Sequence, residues 1–335
     1  MKLSQIGELY LLERIRKNFS KKSKNILVGI GDDAAVISPI TKNTLLTTDM
    51  MVEGIHFDPS FITPYQLGFK LISANVSDIY AMGGKPLYVL LNIALKKDTT
   101  LEFVDNFFEG IRFANKHYGT ILVGGDISAT HTSLSFSATL LGYAERYLNR
   151  TGACIGDRIY VTGNLGDSAC GLAILKRIKK QVPINDIVYE KKIKRDILKG
   201  LSWKTIEPLL RRHLMPEARN PEKIIYKATS MIDISDGLLI DLTRLCNESK
   251  VGAKICLDKI PLSAAIKRTS EYLGISPVRL ALAGGEDYEL LFTASPGKRV
   301  KAICIGEITK SERVIIDSHG KKKPFSVEGY QHFGS

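Results

Sequence analysis

Acidic residues recur in this chain beside glycines, hydroxyls or amides, in five places. They are Gly29-Ile30-Gly31-Asp32-Asp33, Thr47-Thr48-Asp49, Asn75 with Asp78 three residues on, Gly124-Gly125-Asp126, and Asp233-Ile234-Ser235-Asp236-Gly237. No Lys or Arg stands inside any of them. If these carboxylates converge they repel one another, so a cation must sit between them. Hard divalent cations take oxygen from carboxylates, hydroxyls and water, and magnesium usually completes its shell with substrate phosphates. The chemistry this suggests is phosphoryl transfer with several Mg²⁺ ions. Each motif alone also reads as a helix N-cap or a surface turn, so recurrence carries the reading. The chain has neither a Gly-x-x-x-x-Gly-Lys-Ser/Thr loop nor a Gly-x-Gly-x-x-Gly fingerprint, which leaves the glycines to cradle phosphate in another geometry.

The elements that must position these residues follow from periodicity and punctuation. In the first half, 26–30, 44–48, 87–95, 120–123 and 133–142 read as strands, β-branched or alternating and bounded by Gly, Pro or Asp. Segments 63–82 and 99–118 read as helices, the first stopped by Gly83-Gly84 and Pro86. In this reading Thr47-Thr48-Asp49 and Gly124-Gly125-Asp126 close strands, and Asn75 and Asp78 share one helix face. The second half opens on a strand within 156–163, followed by a helix over 167–180. A strand at 230–232, a helix over 237–248 and strands at 253–257, 288–293 and 302–306 complete it. Both halves are α/β in character, and the boundary between them falls near 142–150.

At 335 residues, two domains are the natural expectation. With 44% hydrophobic and 24% charged residues the chain can bury sizeable cores and shows no bias toward disorder. The start of the chain does not pattern as a secretory signal, and no apolar run reaches the length of a membrane span. Five scattered cysteines form no Cys-x-x-Cys pair and read as reduced core thiols of a cytoplasmic protein. The net charge of +12 raises a nucleic-acid role. It concentrates, however, between Lys176 and Arg212, where twelve Lys or Arg face four Asp or Glu, a local +8. Apolar residues such as Ile178, Ile193, Ile197 and Leu201 interleave these charges, as on the solvated face of amphipathic helices.

In this order the motifs resemble those of the thiamine-monophosphate kinase family, within the superfamily of aminoimidazole ribonucleotide synthetase and selenophosphate synthetase. The resemblance runs from Gly29 to Gly329-Tyr330-Gln331-His332-Phe333. It takes in 48–57 (Thr48 through Phe57), Asn75-Val76-Ser77-Asp78, Val123-Gly124-Gly125-Asp126, Asp233 through Leu238 and Gly284-Gly285-Glu286-Asp287-Tyr288-Glu289-Leu290. It implies ATP-dependent phosphorylation of thiamine monophosphate in the cytoplasm. It also implies magnesium ligands at Asp33, Thr47, Thr48, Asp49, Asp78, Asp126, Asp233 and Asp236, by side chain or main chain. ATP contacts are implied at Gly125, Asp126, Arg150 and Ser235, and contacts to thiamine monophosphate at His56, Glu286 and Tyr330. It further implies a fold of α+β class. An N-terminal ferredoxin-like sheet domain, 1–148, binds metal and ATP and pairs with a second copy into a dimeric barrel. A C-terminal α/β domain, 149–335, completes the site. The partners implied are thiamine monophosphate, ATP and a second copy, with neither nucleic acid nor membrane. The basic stretch from about Lys176 to Arg212 is longer than the family leads one to expect.

An acceptor phosphate is already ionised at neutral pH, its second pKa being near 6, so the chemistry needs no general base. The obstacle is the approach of one anion to another. Read without the resemblance, His56 is also a turn or core histidine, Glu286 a helix N-terminal acid and Tyr330 a packing residue. Asp32 and Asp287 read as structural. A sibling ATPase of the superfamily shares the metal and ATP motifs. Selenophosphate synthetases, however, carry a reactive Cys or selenocysteine near the N-terminus, and no Cys precedes Cys154 here.

Overall fold

The computed structural model describes residues 2–6, 8–19, 24–30, 34–184, 197–325 and 329–331. The chain divides into two compact units. One takes Met1–Ile79, Gly84–Glu145 and Lys180–Pro183, the other Tyr80–Gly83, Arg146–Lys179 and Ile184–Ser335.

The first unit runs α1 (Leu3–Ile6), α2 (Glu8–Phe19), β1 (Ile26–Val28), β2 (Val36–Ile37), β3 (Asn43–Val52), α3 (Pro64–Ala81), β4 (Lys85–Lys96), α4 (Leu101–Tyr118), β5 (Ile121–Thr130) and β6 (Ser135–Ala144). Helix α4 is set at both ends by its own sequence. Thr100 accepts the Phe103 N–H at the start, and Gly119 takes a left-handed φ of 72° at the end. β5 begins directly after that cap, and a strand reached through a helix returns parallel. β4 and β5 are accordingly parallel, in a sheet of order β3-β6-β4-β5 whose other pairs are antiparallel. The connectivity is βαβαββ, which corrects the expected ferredoxin-like βαββαβ order. One face of the sheet carries Phe136, Ala138 and Leu140, all fully buried, and α4 packs on it, Phe107 lying 4.5 Å from Phe136 between ring centroids.

The second unit contains β7 (Arg158–Val161), α5 (Asp167–Ile178), α6 (Trp203–Leu214), β8 (Ser230–Asp233), α7 (Leu238–Ser249), β9 (Gly252–Cys256), α8 (Ala264–Leu273), α9 (Pro277–Ala283), β10 (Leu290–Ala294), β11 (Ile303–Thr309), β12 (Arg313–Ile316) and β13 (Lys322–Pro324). Its seven strands are ordered β13-β12-β9-β11-β7-β10-β8. The core joins Ile159, Val161, Ile232, Leu242, Leu245 and Leu291, and each such buried side chain stabilises the unit by about 1.5–3 kcal/mol. Within the basic stretch, α6 is amphipathic, burying Ile206, Leu209, Leu210 and Leu214 while Arg211 follows in its last turn. Residues 185–196 of that stretch, like Asp32 and Asp33, lie outside the described residues.

Two strands run further than their sequences led us to expect. β3 does not close at Asp49 but continues to Val52, paired with β6 over ten residues. β5 does not end at Asp126 but passes through it to Thr130, past a bulge opposite Val89 and Leu90. Among the described residues no helix is long and apolar enough to cross a membrane.

Candidate active site

Alternation along β3 sorts its candidates onto two faces. Met51 is buried, whereas Leu46 and Met50 are 67% and 56% exposed, so odd-numbered residues face the helices and even-numbered ones the open side. On the helix side the Thr47 hydroxyl donates to the Asp78 carboxylate at 2.5 Å, and the Asp49 N–H donates to Asn75 Oδ1 at 3.1 Å. One face of α3 therefore meets one face of β3, and Thr47, Asp49, Asn75 and Asp78 form a group of oxygen donors. Thr48 stands on the opposite side, its hydroxyl donating to the Ala138 carbonyl and accepting from Thr139.

Asp126 belongs to that open side as well. It is in register with Asn92, which pairs with Ser137, which in turn pairs with Met50. β3 and β5 are the two edges of the sheet, so Asp126 and Asp49 are separated by three strand spacings, about 14 Å, as well as by the sheet itself. Asp126, Gly125, Asn92 and Thr139 line a cavity of about 980 Å³, together with Gly29 and Ile30. Gly125 has a φ of 153°, and a Cβ there would fall 1.9 Å from the Leu91 carbonyl oxygen, so only glycine fits at this approach of β5 to β4.

His56 lies in the turn that follows β3. Its Nδ1 accepts the Val52 N–H at 3.1 Å, which places the ring's other nitrogen, Nε2, in the donor role for the neutral ring. Glu53, in the same turn, accepts from Lys96 Nζ and from the Leu134 N–H.

In the second unit three stretches far apart in sequence meet. The Glu286 N–H donates to the Ser235 carbonyl at 2.7 Å and the Tyr330 N–H to the Asp236 carbonyl at 3.0 Å. A Cβ on Gly285 would lie 2.4 Å from the Ser235 carbonyl oxygen, so the loops touch backbone to backbone. Ser235, Asp236, Glu286 and Tyr330 are thereby brought together. Asp233 ends β8 buried, while Arg150 is exposed near the opening of that strand, where the Asn149 carbonyl accepts the Met231 N–H. About 13 Å of strand separates Arg150 from the Ser235 turn.

Several acids of this unit meet guanidiniums or N–H groups of the chain itself. Arg244 pairs with Asp236 at 2.6 Å and with Asp241 at 2.7 Å. Burial pushes the Asp241 carboxyl up to about 6, although Arg244 and the N–H groups of Asp236 and Gly237 pull the other way. Fully buried Glu289 receives a two-pronged hydrogen bond from Arg219, both contacts at 2.7 Å, and lies 2.9 Å from Arg212. Asp287, also fully buried, accepts the N–H groups of Gly166 and Ser168 at the start of α5, and burial pushes it up to about 7. Arg212, His213, Arg219, Asp241 and Glu289 were not singled out from sequence. Glu289 stands inside the Gly284–Leu290 motif, but its cationic partners are some seventy residues away.

Among the described residues no three of His, Cys, Asp or Glu converge closely enough to hold a metal ion. All five cysteines are free, and burial pushes the Cys170 thiol up to about 12 and Cys246 up to about 11.

Residues 31–144 match the AIR synthase related protein N-terminal domain and residues 155–318 the corresponding C-terminal domain. The chain is 37% identical over 339 residues to thiamine-monophosphate kinase of Aquifex aeolicus, covering 99% of this chain and 100% of that one. It is 34% identical over 346 residues to the Escherichia coli K12 enzyme of the same name, covering 98% and 99%. A solved structure of AaThiL complexed with AMPPCP and TMP superimposes over 99% of both chains, with a TM-score of 0.76 at 35% identity.

Proposed function

The chain belongs to the thiamine-monophosphate kinase family within the AIR synthase related proteins, and from that premise we propose how its own residues serve the family's reaction. It transfers the γ-phosphoryl of ATP to thiamine monophosphate, giving thiamine diphosphate and ADP. The observation that carries this reading is the full-length match to a relative solved with an ATP analogue and TMP.

The donor set of Thr47, Asp49 and Asp78 is all oxygen and suits magnesium. In our reading these three, with Asp33, Thr48, Asp126, Asp233 and Asp236, hold several Mg²⁺ ions. When bound, such ions neutralise the two phosphates that must approach each other. Gly125, Asp126, Arg150 and Ser235 hold ATP, Arg150 offering a planar guanidinium suited to phosphate. His56, offering Nε2–H, joins Glu286 and Tyr330 in receiving thiamine monophosphate. A carboxylate and an aromatic ring suit its cationic thiazolium. The acceptor phosphate is ionised, so these groups align and hold while no side chain removes a proton, and transfer is direct.

Residues 1–148 bind metal and ATP and form the dimer, and 149–335 complete the site. Support for a homodimer lies in the open face of the first sheet, where Leu46 and Met50 are largely exposed beside half-buried Leu90 and Leu141. A second copy laid on that face closes the two sheets into a barrel. Five free thiols accord with a cytoplasmic setting.

The test is incubation of the purified protein with ATP, Mg²⁺ and thiamine monophosphate, with Asp126→Ala as control and products separated by chromatography. Equal amounts of thiamine diphosphate and ADP, lost in the variant, are expected. ATP consumed without thiamine diphosphate would overturn the choice of acceptor.

A further inference from the structure

Glu286 sits on a loop held in an unfavourable backbone conformation. Its φ is 64° and that of Tyr288 is 50°, left-handed values that cost a non-glycine residue about 1 kcal/mol or more each. The surrounding structure determines the loop from several directions. The N–H groups of Glu286 and Tyr288 donate to the carbonyls of Ser235 and Ile234, Asp287 is locked against the start of α5, and Glu289 against Arg212 and Arg219. Those contacts fix the backbone. They leave the Glu286 side chain, 29% exposed, with its own torsions to be set.

His213, in the last turn of α6, reaches that side chain. Its Nδ1 is 3.2 Å from Glu286 Oε2 and 3.1 Å from the Ser168 hydroxyl, and its side chain is only 6% exposed. An ionised carboxylate only accepts hydrogen bonds, so the Glu286 contact requires a proton on Nδ1. Asp287, across the same cluster, is the group that burial keeps closest to neutral.

We propose that His213 is a positioning residue for thiamine monophosphate, its Nδ1–H fixing the Glu286 carboxylate on the strained 284–288 loop, with the Ser168 hydroxyl oxygen sharing that proton as a second acceptor. The inference rests on Glu286 receiving thiamine monophosphate. It extends the substrate site to a buried histidine seventy-three positions away in sequence, on a helix of the basic stretch. Ser168 couples the pair to the first turn of α5, whose start Asp287 caps, so the same helix end anchors both the loop and the histidine.

The test is steady-state kinetics with each substrate varied separately in wild type, His213→Ala and His213→Asn. Asparagine places an amide N–H near the position of Nδ1. In His213→Ala, KM for thiamine monophosphate should rise about tenfold, the size of a lost hydrogen bond to a charged group. KM for ATP and kcat should stay within about twofold, and His213→Asn should recover most of the loss. If His213→Ala does not fold, Glu286→Gln made in wild type and in His213→Phe, which keeps a ring but carries no donor, supplies a double-mutant cycle, which should give a smaller penalty in the second background. A rise in both KM values together, an unmoved KM for thiamine monophosphate, or an additive cycle would overturn the positioning role. A wild type that makes no thiamine diphosphate would instead sink the functional reading beneath it.

Discussion

Two sets of carboxylates, one from each unit, stand in different surroundings. In the first, Asp49, Asp78 and Asp126 stand on a sheet and one helix, with hydroxyl and amide neighbours such as Thr47, Asn75 and Asn92. In the second, Asp241, Asp287 and Glu289 are buried and satisfied by backbone N–H groups or guanidiniums. An acid-rich motif is therefore not one kind of object. Asp241, Asp287 and Glu289 hold the fold, whereas on our proposal Asp49, Asp78 and Asp126 hold a cation.

Glu289→Ala should break the second unit most severely. It leaves Arg219 and Arg212 without their buried partner, and losing one side of a buried ion pair costs about 3–5 kcal/mol. Denaturant unfolding would measure the loss, and a change under 1 kcal/mol would contradict it. Gly125→Ala is the corresponding strike at the first unit. The Leu91 carbonyl stands where the new methyl must go, so about 1–3 kcal/mol of strain is expected, with weakened ATP binding in calorimetry.

Asp287→Asn should cost about 1–3 kcal/mol, because an amide cannot accept from both the Gly166 and Ser168 N–H groups. It should also change the response to pH. A carboxyl raised from its ordinary value to about 7 contributes stability that is fully present below about pH 4 and lost as pH rises through 7. Wild type should therefore lose stability across pH 4 to 7 more steeply than Asp287→Asn, and parallel curves would refute the assignment. The smallest effect is expected at Arg14, which pairs with Asp105 between α2 and α4 with both side chains more than a third exposed. Arg14→Ala should cost less than about 1 kcal/mol, and a larger shift in melting would mean that this surface contributes more than its solvation allows.

Much of the fold was legible because its signals are local. The Gly83-Gly84 stop marks a helix end, and the three-residue spacing of Asn75 and Asp78 put both on the face that meets β3. The splitting of the β3 candidates was missed because Asp49 was read as a strand end. Pairing with β6 carries the strand through it, and alternation then sends Thr48 away from Thr47 and Asp49. The bulge in β5 was likewise invisible, since it arises from how β5 meets β4. Least legible were Arg212, His213 and Arg219, for no local pattern links them to Glu286 or Glu289. Their meaning comes entirely from the packing of α5 and α6 against the 284–289 loop.

The contrast between the units is tested most directly by measuring turnover and melting together on Asp49→Asn and Asp287→Asn. Asp49→Asn should melt within about 1 kcal/mol of wild type while kcat falls roughly a hundredfold or more, as loss of a metal-held phosphoryl-transfer site requires. Asp287→Asn should melt lower yet keep most of its kcat per folded molecule. If Asp49→Asn instead unfolds as readily as Asp287→Asn, with activity lost only in proportion to the unfolded fraction, the division into ligand-holding and fold-holding carboxylates is wrong.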